Sequence, residues 1–258
     1  MNGGLYINLS GITSEGKKMN IITNNLANIN TVGYKSEGSV FGDFLSQKAI
    51  SAVNSGDKKP LADNQYPIML YSYNNFSQGA LKHTGNKLDM AISGKGFFVI
   101  KTPEGIKYTR NGSFSINTNY QLVTREGYLV LGTDGKPVNI NQRGSDVTIT
   151  HKGIVNVLDP THDIEQYAGK IMTVDFKNPE LLSRNGNTLF SETKKSGKPV
   201  LLKNPKIEQG YLEESNVNEI QSMVELISIS QIKSTMNNVL KSYSQIDNVA
   251  INTVGAAV

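Results

Sequence analysis

The sequence predicts an α+β protein in which an antiparallel, β-rich central domain lies between N- and C-terminal α-helices that pair as a coiled-coil domain. Three observations carry this. Leu5, Ile12, Met19 and Leu26 recur every seven residues, and Leu9 and Ile22 widen the same side into a stripe of helical period. Near the other end Ile229, Ile232, Met236, Val239, Tyr243, Ile246 and Ala250 advance by alternating steps of three and four, the spacing of a coiled-coil seam. Between them, short β-branched and aromatic runs are separated by turn dipeptides. Two terminal stripes have only each other, or another copy, to pack on. That arrangement points to a polymer and away from a catalyst.

Taken in order, the first helix is expected over residues 4–30, roughly 40 Å long, with Gly33 supplying the left-handed residue that ends it. It belongs to a segment, 1–35, that forms half of the helical domain. Residues 36–78 are rich in Ser, Gly, Asn, Asp and Lys and contain Pro60 and Pro67, so they read as an extended, loop-like connector. The β-rich domain spans 79–203. Its expected strands are Phe97 to Ile100, Phe114 to Ile116, Tyr128 to Leu131, Val138 to Ile140, Val147 to Ile149 and Ile154 to Val157, with Phe97 or Phe98 in the core. Asn111-Gly112 and Asp134-Gly135 are strong hairpin signals, because a two-residue turn needs positive φ, and Lys152-Gly153 is a weaker third. Residues 204–258 carry the last helix, which starts among Glu213, Glu214, Ser215 and Asn216, with acidic side chains at the positive end of the dipole, and runs to Ile251. Its early stripe of Val217, Ile220, Val224 and Ile227 is offset from the later one, as at a stutter.

Composition removes several function classes. With 38% hydrophobic and 19% charged residues over 258 positions the chain is ordinary folded protein. The net charge of +4 comes from 26 basic residues scattered among 22 acidic ones, a solvated surface and not a nucleic-acid footprint. There is no cysteine, hence no disulfide, thiolate metal site or cysteine nucleophile. No apolar stretch approaches a membrane span, and Asn8, Ser10, Thr13, Ser14 and Glu15 interrupt anything resembling a cleaved secretory signal.

Chemical motifs are weak. Gly11-Ile12-Thr13-Ser14-Glu15-Gly16-Lys17-Lys18 approaches a phosphate-binding loop, but Lys18 replaces the hydroxyl residue, no strand precedes it, and Ile12 belongs to the helical stripe. Gly94-Lys95-Gly96 leads into a strand instead of leaving one, so it reads as a turn with close backbone approach. His83, His151 and His162 have no metal-ligand spacing, and Asp89, Asp159, Asp163 and Asp175 carry no acid–base signature. No Gly-x-Ser-x-Gly elbow exists. The reading is of no catalytic, cofactor or metal site; a secreted enzyme would need a pocket built on residues such as Asp159, His162 and Asp175.

Three separated stretches closely resemble the flagellar rod and hook family of axial proteins. The first is Asn24-Asn25-Leu26-Ala27-Asn28, then Asn30-Thr31-Val32-Gly33-Tyr34-Lys35. The second runs from Leu88-Asp89-Met90-Ala91-Ile92 through Gly94-Lys95-Gly96-Phe97-Phe98 to Tyr108-Thr109-Arg110-Asn111-Gly112-Ser113-Phe114. The third is Gln209-Gly210-Tyr211-Leu212-Glu213 with Ser215-Asn216-Val217-Asn218. The resemblance implies a structural subunit of the basal-body rod, a periplasm-crossing drive shaft. It also implies export by the flagellar type III apparatus without a cleaved signal, an inner layer of paired terminal helices, and an outer layer formed by the β-domain. Its implied partners are itself and neighbouring rod proteins, with no nucleic acid and no stable membrane insertion. Thr84 to Asp89 and the ending Asp247 to Asn252 are similar to proximal rod subunits, while Ser230-Gln231-Ile232-Lys233-Ser234 departs from the distal pattern.

Overall fold

The first helix, α1 (Asn2–Ala27), stops several residues before Gly33, and a turn closed by the Thr31 N–H on the Asn28 carbonyl follows it. The structure, a computed structural model, describes residues 2–45, 65–140, 146–159 and 164–255. Its chain divides into two units, one made of Met1–Leu26, Glu37–Tyr73 and Asn218–Val258, the other of Ala27–Ser36 and Asn74–Val217.

The smaller unit holds α1, the strands β1 (Glu37–Leu45) and β2 (Gln65–Asn74), and the last helix, α2 (Glu219–Gly255). The stretch expected as a loop-like connector thus contains a two-stranded sheet, β1 on β2. Its glycines explain the misreading, since they leave room for side chains opposite: a Cβ on Gly38 would lie 2.6 Å from the Tyr73 ring, and one on Gly42 would lie 2.8 Å from a Leu70 methyl.

Apart from one 3-10 turn at Pro179–Leu181, the described regular structure of the larger unit is β-strand. In order it carries β3 (Leu81–His83), β4 (Met90–Ile92), β5 (Phe97–Thr102), β6 (Gly105–Thr109), β7 (Phe114–Ile116), β8 (Leu122–Thr124), β9 (Leu129–Val130) and β10 (Val147–Ile149). Then come β11 (Ile154–Asp159), β12 (Ile164–Lys170), β13 (Thr173–Asp175), β14 (Ser183–Asn185), β15 (Leu189–Ser191), β16 (Val200–Leu201), β17 (Ile207–Gln209) and β18 (Tyr211–Glu213). The main sheet runs β14-β15-β6-β5-β9-β8-β7, and β13 joins β5 to β16. A three-stranded sheet β10-β11-β12 and the pairs β17–β4 and β18–β3 complete the unit. All the registered pairs are antiparallel.

The centre is β5. Because side chains alternate across a strand, Phe98 and Ile100 enter one core with Ile92, Phe114, Ile140 and Ile207, while Phe97 and Val99 enter another with Tyr108, Phe176 and Phe190. Both phenylalanines are therefore core residues. Val138 and Ile140 are also buried, although only single bridges at Pro137 and Asn139 flank them instead of a full strand.

The hairpin signals divide. Gly135 (φ 75°) and Gly153 (φ 78°) close tight turns, the latter between β10 and β11. Asn111-Gly112 does not: Gly112 lacks positive φ, and the flanking β6 and β7 pair with other strands. Its glycine serves close approach, since a Cβ there would sit 1.6 Å from the Met90 carbonyl oxygen, whose own N–H bonds the Gly112 carbonyl. The last helix also starts later than expected. Tyr211–Glu213 is a strand on Leu81–His83, and the helix is capped at Asn218, whose side-chain oxygen accepts the Gln221 N–H at 3.1 Å. Among the described residues no helix is long and apolar enough to cross a membrane.

The two kinds of glycine separate experimentally. Gly112→Ala should destabilise the larger unit by about 3 kcal/mol or more, because backbone must move. Gly135→Ala, with nothing within 4 Å, should cost about 1 kcal/mol from φ alone. Equal shifts in thermal midpoint would refute the close-approach account.

Candidate functional site

Two sets of residues carry the sequence-level expectations: the helical stripes and the three signature stretches. On α1, Ile21 and Ile22 are buried, Ile12, Met19 and Leu26 are half-buried, and Leu9 is exposed. On α2, Ile229 is buried and Met236 half-buried, whereas Ile232, Val239, Tyr243 and Ile246 are exposed. The side chains of Leu5 and Ala250 lie outside the described residues. The two helices touch where the Asn8 amide donates to the Met236 carbonyl at 3.2 Å and the Lys233 ammonium lies 4.0 Å from the Met19 sulfur.

The signature stretches do something the sequence does not announce. In the larger unit, parts of all three converge on one buried carboxylate. Glu213 at the end of β18 has no solvent exposure, and neither has Lys35, whose ammonium is 2.6 Å from its Oε1. Arg110, following β6, places Nη1 3.2 Å from Oε2. Backbone meets further donors: Lys35 also donates to the Ser77 carbonyl (2.8 Å), and Arg110 to the carbonyls of Ile92 (3.3 Å) and Gly94 (2.7 Å), while Arg110 Nε is buried without a hydrogen-bond partner. Glu213 in turn accepts the Gly79 N–H at 3.0 Å.

Surrounding groups lock the same junction. Gly33, at φ 70°, donates its N–H to the Glu213 carbonyl at 2.7 Å, and a Cβ there would lie 2.4 Å from the Asn111 nitrogen. Asn216 accepts the Ser36 N–H at 2.8 Å and donates to the carbonyls of Asn75 and Ser77 at 2.8 and 3.0 Å. Tyr34 is buried under the Arg184 guanidinium, 4.7 Å from its ring centre, and Arg184 also donates to the Lys35 carbonyl. Ser215 receives the Val217 N–H at 3.3 Å, and Asn111 receives that of Ser113 at 3.0 Å. Gly96, at φ 121°, leaves space for Leu202, which a Cβ would meet at 2.5 Å.

At the end of α1, Asn25 pairs both ways with the Glu37 backbone, at 2.8 and 2.9 Å, while Asn24 and Ala27 are exposed and Asn28 accepts from the Thr31 hydroxyl.

Family models match the chain at the same three places. The flagella basal body rod protein model covers residues 5–35, the flagellar hook protein FlgE/F/G D1 domain residues 91–157, and the flagellar basal body rod FlgEFG protein C-terminal model residues 208–253. The flagellar basal-body rod protein FlgG of Buchnera aphidicola subsp. Baizongia pistaciae is 31% identical over 93% of this chain and 95% of its own length. FlgG of Bacillus subtilis is 32% identical over 92% and 96%, and FlgF of Mesorhizobium japonicum 30% over 99% of both. The chain belongs to the flagellar basal-body rod protein family. That is a family of structural rod components, not of enzymes.

In this rod protein the buried node ties loops and strands of the larger unit together. His162 and Asp163, named with Asp159 as possible site residues, lie outside the described residues, and among the described residues no group of three His, Asp or Glu is placed to hold a metal. Asp89 is buried, bonded to the Thr84 hydroxyl at 2.7 Å and the Asn86 amide at 3.1 Å, in a local turn. Sequence reasoning gave Glu213 to a helix dipole. Nothing local in Tyr211–Glu213, a short strand on the mostly exposed Leu81–His83, marks this glutamate as buried.

Burial pulls the Lys35 ammonium below the ordinary lysine range, with Glu213 acting against the shift; Arg110 is pulled down for the same reason. The unfolded chain therefore holds the Lys35 proton more firmly than the native one. The cost of burying that proton is fully present below the folded-state value and fades as pH climbs to the ordinary lysine value. Unfolding free energy should rise with pH through that window in chemical denaturation, and Lys35→Met should remove the rise. Glu213→Gln, which leaves two buried cations without their counter-ion, should destabilise the larger unit by about 3–5 kcal/mol; a change under about 1 kcal/mol would mean the node is not the keystone described.

Proposed function

We propose that the chain is a structural subunit of the proximal part of the basal-body rod, polymerising through its terminal helices to build the drive shaft for motility. The observation that carries this is the apolar row left open on α2: Ile220, Val224, Ile227, Ile246 and Val249 are 76, 61, 59, 57 and 64% exposed. Side chains of that size stabilise by roughly 1.5–3 kcal/mol each when covered, and a row along one helix marks an interaction surface. Among the described residues the covered apolar side of α2 is that of Leu226, Ile229, Met236 and Leu240, so pairing of α1 and α2 as a coiled coil is completed in the assembly. One heterologous contact repeated with a non-closing rotation grows a helical filament.

Neighbours of this kind are further copies and other rod proteins. Delivery through the flagellar type III apparatus fits a chain without cysteine and with helices that gain most of their stability on assembly. The proximal position rests on the stretches Thr84 to Asp89 and Asp247 to Asn252; the distal rod protein is the alternative, and relatives named FlgG and FlgF are similarly distant. A crosslinking map of intact basal bodies distinguishes them by locating the chain along the rod.

Val224→Asp with Ile227→Asp puts two charges on this exposed row. Stability of the soluble subunit should change by less than about 0.5 kcal/mol, while incorporation into basal bodies and swimming are lost because the charges must be desolvated at the contact. Normal motility with normal incorporation would remove α2 from the assembly surface.

A further inference from the structure

We propose that Asn185 is a site of spontaneous intramolecular deamidation, promoted by the hydroxyl of Ser191. Asn-Gly is the dipeptide most open to this chemistry, because a following residue without a Cβ lets its backbone nitrogen approach the asparagine side chain. The larger unit has two described Asn-Gly pairs, and the fold treats them oppositely.

At Asn111-Gly112 the backbone is clamped. The Gly112 carbonyl accepts the Met90 N–H, the Asn111 side chain accepts the Ser113 N–H, and Gly112 itself is pressed against the Met90 carbonyl. At Asn185-Gly186 the chain is at the tip of the β14–β15 hairpin. Gly186 has φ 73° with nothing within 4 Å of where a Cβ would be, and Asn185 is half-buried on a cavity of roughly 340 Å³ shared with Glu104, Lys107 and Tyr128. The Ser191 hydroxyl donates to the Asn185 Oδ1 at 2.6 Å, and the Lys107 ammonium donates to Ser191 Oγ at 2.8 Å. A cation thus stands behind a hydroxyl aimed at the amide oxygen.

In the reaction the Gly186 backbone nitrogen loses its proton to solvent base and bonds to Asn185 Cγ. Negative charge gathers on Oδ1, where the Ser191 O–H, polarised by Lys107, stabilises it. The C–N bond to the side-chain nitrogen breaks, that nitrogen takes back a proton from the solvent acid and leaves as ammonia, and a succinimide remains. Water adds to either ring carbonyl and gives aspartate or isoaspartate. No oxidant or cofactor enters. The product carries a new carboxylate near Lys107, and the isoaspartate form lengthens the backbone at the Asn185–Leu189 pair that closes the hairpin.

Incubation of the full-length protein in mildly alkaline buffer, followed by peptide mapping with mass spectrometry, reads conversion at both positions. Asn185 should convert to a mixture of aspartate and isoaspartate, faster as pH rises, while Asn111 stays intact; in denaturant the two should react alike. Ser191→Ala should slow Asn185 about tenfold, the rate equivalent of one hydrogen bond to a developing charge, and Lys107→Met, which keeps the hydroxyl, should slow it less. Native circular dichroism and thermal midpoint identify any variant that has lost the hairpin. Conversion of Asn111 as fast as Asn185 in the folded protein, or of Asn185 in a folded Ser191→Ala variant at the original rate or faster, overturns the proposal.

Discussion

Charge balance at Glu213 is the constraint on which the larger unit depends. Away from water, two cations share the Glu213 carboxylate with little screening, and Asp175 is the further negative charge felt by Arg110. Backbone adds to the compensation: the carbonyls of Ser77, Ile92 and Gly94 accept from Lys35 and Arg110. Those carbonyls belong to the loop before β3 and to the end of β4 and the turn after it, so the ion cluster fixes loops as well as strands. Gly33 and Gly79 then have to be glycine because chain is drawn in around the cluster; a Cβ on Gly79 would lie 2.0 Å from the Glu214 carbonyl oxygen.

Much of this was legible in the sequence, for physical reasons that differ by element. The α+β class and both helices followed from helical periodicity, and the core strands at Phe97, Phe114, Val147 and Ile154 from β-branched and aromatic runs set between turn dipeptides. Turn chemistry succeeded at Gly135 and Gly153, where glycine is needed for φ, and failed at Gly112, where it is needed for space. A sequence shows that a glycine is present, not which of its two properties is used. Strands β1 and β2 were hidden for a related reason: the two glycines of β1 and Pro67 in β2 resemble loop composition, while the large partners of the glycines stand on the opposite strand. The node was legible only as a resemblance. Lys35, Arg110 and Glu213 all stood inside the quoted stretches, yet no local pattern tells a buried Lys from a solvated one, and the pairing links residues more than a hundred positions apart.

The two units solve opposite problems. β5 is buried on both sides and leaves nothing for a partner, as a self-sufficient sheet should. α2 keeps an apolar row in the open over much of its length, which an isolated protein would be expected to suppress. Robust folding in one part and deferred burial in the other suit a component made singly and used in an array.

The chain separation of the buried ions has a kinetic meaning. Lys35 and Glu213 are 178 positions apart, and Arg110 and Glu213 are 103 apart. Contacts of such range form late, after a large loop-closure cost. A chain that gains order from its amino end holds Lys35 and Arg110 without the Glu213 carboxylate until β18 arrives, and one cut short before Glu213 would have to bury both cations without it. The ion cluster therefore closes only once the chain is present as far as Glu213, which ties the beginning, middle and end of the larger unit into one cooperative event.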